Sequence, residues 1–323
     1  MHILVCGGAG YVGSHACLAL ARAGHDVTVL DNMLTGHREA VRWGRLVDAD
    51  ILRPETLDAA FDRKVDAVMH FCARSLVGES VTDPYAYYQN NVTGTINMLE
   101  AMKRHGVDRL VFSSTAAVFG NPVTDVIDED HPKNPINPYG ASKLMVERIL
   151  ADAANAYGLR SVALRYFNAA GAAADEGIGE SHEPETHLIP NALKAAAGEG
   201  AGLKVFGNDY PPPDGTCVRD YVHVLDLADA HLRALDWMDR ESGAHRFNLG
   251  NGNGFSVLEV IEAARKVSGR DIPYEVAARR AGDPPVLVAS SGLAREKLGW
   301  TPKFDRIEPI IETAWAWHRA PAY

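Results

Sequence analysis

Long apolar runs are missing from this 323-residue chain. No stretch approaches the roughly 18 consecutive apolar residues of a membrane helix, so no transmembrane element is expected. Cysteine is scarce: Cys6, Cys17, Cys72 and Cys217 are scattered, with no pair at metal-ligand spacing, and they read as reduced residues of a cytosolic protein. The thirteen histidines contain no HExxH pattern, and no metal is expected. Basic charge is in deficit too. The formal net charge is −10, with no basic stripe to release counterions, which argues against a nucleic-acid partner. Met1-His2-Ile3-Leu4-Val5-Cys6-Gly7 enters a glycine motif at once, so we expect no secretory leader and a cytoplasmic location.

What is present is a globular composition, 46% hydrophobic and 23% charged, in an alternating pattern. Residues 3–6, 27–30, 67–71, 110–113 and 161–164 are continuous apolar runs of strand length, suited to strands buried on both faces. Between them, residues 14–23, 56–61, 90–105 and 139–157 repeat apolar side chains at helical spacing. This alternation predicts an α/β fold: a doubly wound parallel sheet of the Rossmann kind, with its ligand crevice at the carboxyl ends of the strands. After about residue 168 the texture changes to a glycine- and alanine-rich stretch, 169–179, and a proline-rich one, 210–215. Strand-like residues 221–223 and 247–249 flank a helical pattern over 224–238. The expected division is a first domain over 1–168, rejoined by the chain around 221–249, and a smaller domain mainly over 169–323.

Gly8-Ala9-Gly10-Tyr11-Val12-Gly13 is a GxGxxG between an expected strand and an expected helix. Its glycines permit a tight turn and the close approach of a pyrophosphate, whose charge a helix N-terminus stabilises. The next expected strand ends at Asp31, where a carboxylate can accept hydrogen bonds from an adenosine ribose and would repel a 2′-phosphate. The first domain therefore reads as a binder of NAD rather than NADP.

Tyr139 and Lys143 stand one turn apart at the start of a helix and share a face. Ser113-Ser114-Thr115 follows a strand whose end should open into the same crevice. A phenol with a pKa near 10 is a poor base at neutral pH unless its anion is stabilised. Lys143 and a positive nicotinamide ring would both stabilise it, and Thr115 would orient the reacting oxygen. Such a set takes a proton from an alcohol while a hydride leaves the same carbon.

With these residues the chain resembles the extended short-chain dehydrogenase/reductases, and within them the UDP-glucose (UDP-galactose) 4-epimerases. The likeness covers nearly the whole chain. It is carried by Gly7-Gly8-Ala9-Gly10-Tyr11-Val12-Gly13-Ser14-His15, Val77-Gly78-Glu79-Ser80, Asn90-Asn91-Val92 and Pro138-Tyr139-Gly140, and more specifically by Arg165-Tyr166-Phe167-Asn168, Phe206-Gly207-Asn208-Asp209-Tyr210, Val218-Arg219-Asp220-Tyr221-Val222-His223 and Gly282-Asp283. The resemblance implies that Tyr139 is the base, that Lys143 binds the nicotinamide ribose and tunes it, and that Thr115 holds the sugar oxygen. It implies NAD contacts from Gly7, Gly10, Tyr11, Val12, Gly13, Asp31, Asn32, Asp50, Ile51, Ala73, Ser75, Asn90 and Ser113, with Phe71 and Phe167 beside the ring. The UDP-sugar would meet Asn168, His187, Leu188, Lys204, Phe206, Arg219, Arg280 and Asp283, the two arginines on the diphosphate. It further implies a homodimer paired through the helices at 90–105 and 139–157. The reaction it implies is oxidation at sugar C4, rotation of the 4-keto sugar about its diphosphate, and return of the hydride to the other face.

Three places qualify the likeness. Some members carry alanine-glycine-leucine-lysine where this chain has Cys72-Ala73-Arg74-Ser75, so Ser75 replaces a cofactor-contacting lysine and Arg74 stands one position away. His187 stands where some members have asparagine. Leu287 stands where relatives that exclude N-acetylated sugars have tyrosine and those that accept them have a small residue, implying a preference for UDP-galactose and UDP-glucose. Dehydratase relatives carry an acid just after the serine/threonine, whereas this chain has Ala116 and Ala117, which cannot transfer protons. A 4-epimerase of UDP-pentoses or UDP-uronates is the nearer alternative. A non-catalytic NAD-binding sensor is the other, and the intact Thr115, Tyr139 and Lys143 argue against it.

Overall fold

Seven strands pair side by side, all parallel, in this computed structural model, which describes residues 1–200, 202–280 and 284–323. In chain order they are β1 (His2–Cys6), β2 (Asp26–Asp31), β3 (Arg45–Asp48), β4 (Ala67–His70), β5 (Arg109–Thr115), β6 (Arg160–Tyr166) and β7 (Ala244–Leu249). Across the sheet the order is β7-β6-β5-β4-β1-β2-β3, so the winding reverses beside β1, where an open α/β sheet forms its ligand crevice. Four helices dominate the two faces: α1 (Tyr11–Arg22), α2 (Gly94–Arg104), α3 (Pro138–Tyr157) and α4 (Val224–Arg240).

Every residue of β1 is buried because its side chains alternate between two cores. Ile3 and Val5 share one core with Leu20 of α1 and Leu227 and Leu235 of α4. Leu4 and Cys6 share the other with Met98 and Met102 of α2 and Val146 and Leu150 of α3. Burial on both faces is why these strands carry continuous apolar runs. β3 lacked such a run and was not anticipated: it is the sheet edge, and only Val47 in it is buried. The helical pattern at 56–61 divides into a single turn, Pro54–Leu57, and a 3-10 turn, Asp58–Phe61. The pattern at 90–105 begins in a π-helical stretch, Tyr88–Thr93, before becoming α2.

Of the two later strand-like segments, only the second rejoins the main sheet, as β7 beside β6. Tyr221–His223 instead pairs with Asn168–Ala170 in a sheet of their own. The helices Leu188–Ala197, Val257–Ser268 and Ile307–Arg319 enclose a third core containing Leu193, Val260, Ile261, Ile310 and Ile311. A small four-stranded sheet joins Phe255–Ser256, Val218–Arg219, Val286–Ala289 and Val126–Ile127, so the second half of the chain takes one strand from the first. Among the described residues no helix is long and apolar enough to cross a membrane, and the four cysteines are free thiols.

Candidate active site

The glycine turn follows β1. Gly7 has φ +81°, and a Cβ there would fall 2.8 Å from the Phe71 carbonyl carbon; a Cβ on Gly13 would fall 2.0 Å from the Gly7 oxygen. Those two glycines shape the turn itself. Gly10 differs, because a Cβ there would meet only the Gly7 oxygen, at 3.4 Å. It caps α1 without a side-chain hydrogen bond, so the amides opening the helix at Tyr11, Val12 and Gly13 face a space suited to an anionic group. The Tyr11 hydroxyl donates to the Gly171 carbonyl at 2.6 Å, tying this turn to the second half of the chain.

At the end of β2 the Asp31 carboxylate accepts from the Ala9 amide (3.0 Å) and the Met33 amide (2.9 Å). Burial raises its pKa, and the two amide bonds partly offset this. Its remaining lone pairs are available to ribose hydroxyls. Asn32 donates to Asp50 at 3.2 Å, and Ile51 is buried against α2, where a Cβ on Gly94 would meet it at 2.6 Å. The sequence-derived adenosine-side residues thus gather at the ends of β2 and β3.

Past β4, Phe71 packs its ring 4.8 Å from that of His231, and the Ala73 amide donates to the Phe71 carbonyl. The π-helical stretch holds the following loop. Buried Asn91 accepts from the Arg74 amide (2.9 Å) and donates to the Arg74 carbonyl (3.0 Å) and to Ser142 Oγ (3.0 Å), while Asn90 donates to the Cys72 carbonyl (3.3 Å). Arg74 turns its guanidinium to Glu79, 3.3 Å away, and Ser75 is exposed.

α3 is capped by Asn137, which accepts from the Gly140 amide, and Pro138 opens it. A Cβ on Gly140 would fall 2.3 Å from the Ala117 carbonyl oxygen, so glycine is what lets the helix start press against the turn after β5. The Tyr139 phenol lies close enough to the Thr115 hydroxyl to be stabilised by it, and Thr115 Oγ1 accepts from the Ala117 amide at 3.1 Å. Lys143 Nζ donates to the Ser113 carbonyl at 2.6 Å, and Ser113 Oγ is bonded to the Tyr166 hydroxyl. Burial lowers the Lys143 pKa to about 7. Burial raises that of Tyr139, and the Thr115 hydroxyl works in the opposite direction. Lys143 sits 6.0 Å from the Tyr139 ring centroid, so the protein's own groups leave the phenol above its ordinary value. Behind the set, Glu147 of α3 accepts from Ser114 Oγ (2.7 Å) and from Arg165 of β6 through two nitrogens (2.9 and 2.5 Å).

On the other side, Asn168 donates to the Asp220 carbonyl at 2.8 Å. The Asp220 carboxylate accepts from the amides of Asn251, Gly252 and Ala289, fixing the short strand that carries Arg219. Arg280 lies over the Phe206 ring at 4.0 Å and lines a cavity of about 480 Å³ together with Val123, Arg279, Pro284 and Val286. Phe167 packs with Val118, Phe119 and Ile127. Lys204 is exposed between buried Leu203 and Val205. His187 caps the helix that Leu188 opens, with its ring turned to Glu180. Asp283 lies outside the described residues. Sequence reasoning missed residues 121–125, which wall the same cavity, and the Glu147–Arg165 pair. The first carry no motif, and the second pairs residues 18 apart with nothing in the spacing to announce it.

Fold and site together are those of a dinucleotide-binding enzyme built on a Rossmann sheet. The chain belongs to the NAD dependent epimerase/dehydratase family, whose profile matches residues 3–250. It is 53% identical over 320 residues to the UDP-glucose 4-epimerase of Lacticaseibacillus casei, covering 98% of this chain and 97% of that one. A crystal structure of the UDP-glucose 4-epimerase from Brucella ovis in complex with NAD superimposes with a TM-score of 0.93 at 49% identity, covering 97% of each chain. The Bifidobacterium longum UDP-glucose 4-epimerase, in complex with NAD+ and UDP, matches with a TM-score of 0.94 at 37% identity over 99% of this chain and 98% of that one.

Proposed function

We propose that this chain interconverts UDP-glucose and UDP-galactose by transient oxidation at sugar C4, with Tyr139 as base, Lys143 beside it and Thr115 on the reacting oxygen. The observation that carries the reading is the meeting of Thr115, Tyr139 and Lys143 at the end of β5. NAD fits the glycine turn and Asp31, and when bound it supplies a hydride acceptor and a positive charge beside the phenol. Gly10 and the opening amides of α1 hold its pyrophosphate, and Asp31 its adenosine ribose. Thr115 orients the C4 hydroxyl, and Tyr139 takes that proton as the carbon is oxidised and returns it as the carbon is reduced. Lys143, anchored on the Ser113 carbonyl, sets the position of the nicotinamide ribose.

Arg280, Arg219 and Asn168 grip the UDP portion at the cavity side, leaving the sugar free to turn and present both faces. The division of labour follows: residues 1–168 with 221–249 bind NAD, and the remainder mainly binds the UDP-sugar. Two copies pair through α2 and α3, which expose Ile96, Met145 and Tyr157 on this fold. The four free thiols suit a cytoplasmic location. The test is incubation with UDP-galactose, UDP-GalNAc, UDP-arabinose and UDP-galacturonate and identification of product sugars by NMR. Conversion of UDP-galactose to UDP-glucose is expected; conversion of the pentose or uronate alone would replace the substrate, and no conversion would replace the activity.

A further inference from the structure

The segment leading into the helix Leu188–Ala197 carries Glu180, His182, Glu185 and His187, spaced E-x-H-x-x-E-x-H. One ligand-capable atom from each lies within 4.8 Å of the others. His187 Nδ1 is 2.6 Å from Glu180 Oε1 and 3.3 Å from Glu185 Oε1; His182 Nδ1 is 3.2 Å from Glu180 Oε1 and 3.8 Å from Glu185 Oε2. The carboxylate side chains are only 7% and 3% exposed. Close as these ion pairs are, Glu180 Oε1 and His182 Nδ1 make no well-aligned hydrogen bond. Two nearly buried carboxylates and two part-exposed imidazoles thus gather around one small space.

That arrangement suits a cation. Zn²⁺ takes imidazole nitrogen at about 2.0–2.1 Å and carboxylate oxygen at about 2.0–2.2 Å, which in a tetrahedron places ligand atoms roughly 3.3 Å apart. Three of the four separations above bracket that spacing, and the 2.6 Å pair would open as the metal enters. Two neutral imidazoles with two carboxylates form a site of charge −2, matched to a divalent ion, and imidazole ligands favour a transition metal over Mg²⁺ or Ca²⁺.

We propose that Glu180, His182, Glu185 and His187 form a structural binding site for a divalent transition metal, Zn²⁺ by donor chemistry. The segment is already strung between both halves of the protein. The Ser181 carbonyl lies 3.0 Å from His37 Nε2, the His182 ring meets the Tyr11 ring edge-on at 6.3 Å, and the Glu180 carbonyl accepts from Trp317 Nε1 at 2.9 Å. A metal here would fix the fold of the segment that leads into the helix Leu188–Ala197 and, through the His182 ring, its seat against Tyr11 of the glycine turn. The inference does not depend on the reaction proposed above.

The test uses full-length protein, dialysed against a chelator and titrated with Zn²⁺ and, as a spectroscopic probe, Co²⁺. One metal per chain, the visible absorption of four-coordinate Co²⁺ with nitrogen ligands, and a rise in Tm with Zn²⁺ are expected. Removing even an outer-shell partner of a metal costs about 10–100-fold in affinity, so His182→Asn and Glu180→Gln should each weaken binding at least as much. The two variants report independently should one fail to fold. Metal content well below one per chain after titration, or equal Zn²⁺ affinity in wild type and a folded variant, would overturn the site and identify the cluster as ion pairs between carboxylates and protonated histidines.

Discussion

At the proposed cofactor end the functional side chains sit on a strand of the seven-stranded sheet, just past one, or on the helix pressed against β5, with Asn90 on the π-helical stretch. At the proposed sugar end Asn168, Lys204, Phe206 and Arg219 sit on strands of two to four residues, Arg280 lies in a loop, and Leu188 opens a helix. Lys143 is held by a main-chain carbonyl of β5, and behind it Glu147 and Arg165 make a pair only 2% and 1% exposed. Arg280, by contrast, rests on an aromatic face beside an open cavity. The difference matches the two tasks of the proposed reaction. Proton and hydride transfer require atoms fixed to a fraction of an ångström, whereas a sugar that must rotate requires a grip concentrated on the nucleotide and diphosphate.

The largest expected effect belongs to the proposed base. Tyr139→Phe should lower kcat by roughly 10²–10⁴-fold, the usual range for a lost general acid/base, while NAD binding and Tm stay close to wild type. Retention of more than a tenth of the wild-type kcat would remove Tyr139 from the role.

The rigidity of that end can be broken from behind. Arg165→Met leaves the buried Glu147 carboxylate only Ser114 Oγ and the more distant, half-exposed Arg246, and should cost about 3 kcal/mol in urea unfolding. The exposed pair Arg148–Asp152 is the control: Arg148→Ala should change stability by less than about 1 kcal/mol. Similar losses in both variants would mean that Glu147 and Arg165 hold nothing in place.

The same contrast governs what could be read from the residues alone. Strands buried on both faces must be continuously apolar, and glycines are forced where Gly7 adopts φ +81° or where Gly13 touches Gly7, so the sheet and the cofactor turn were legible. β3 was not, because an edge strand with one buried residue needs no pattern. Nor was the pairing of Val286–Ala289 with Val126–Ile127, which brings together segments some 160 residues apart. The placement of Tyr139 and Lys143 one turn apart on a helix was legible through helical spacing. The Lys143 pKa near 7 was not, since it depends on how deeply folding buries the ammonium. The gathering of Glu180, His182, Glu185 and His187 escaped, although His187 itself was singled out, because E-x-H-x-x-E-x-H is no familiar metal pattern and only the folded backbone brings the four together.

Cofactor selection is a smaller effect at the rigid end. With Asp31 held by two amides at the end of β2, a 2′-phosphate would meet a carboxylate that cannot swing away. We expect NAD to reactivate the apoprotein and NADP to fail at the same concentration, with Asp31→Ser narrowing the gap. Equal reactivation by NADP in the wild type would show that Asp31 does not face the adenosine ribose.

The smallest effect tests the looser end. Leu287 lies on Val286–Ala289 in register with Arg219 and packs against the cluster of Val118, Phe119 and Ile127 that Phe167 also joins, so it borders the proposed sugar side with a branched apolar surface. An acetamido group set against it would lose water without gaining a partner for its amide, and an unmet buried hydrogen bond costs about 1–3 kcal/mol. That penalty corresponds to a preference of roughly tenfold or more for UDP-galactose over UDP-GalNAc in kcat/KM. Leu287→Ser shortens the side chain and offers a hydroxyl, so it should raise kcat/KM for UDP-GalNAc while leaving that for UDP-galactose within a few-fold. Because the strand is short and its register is set by two residue pairs to Arg219's strand, the change should be absorbed locally and leave Tyr139 unmoved. Equal wild-type values for the two sugars, or no gain for UDP-GalNAc in the variant, would show that size selection is exerted elsewhere in the site.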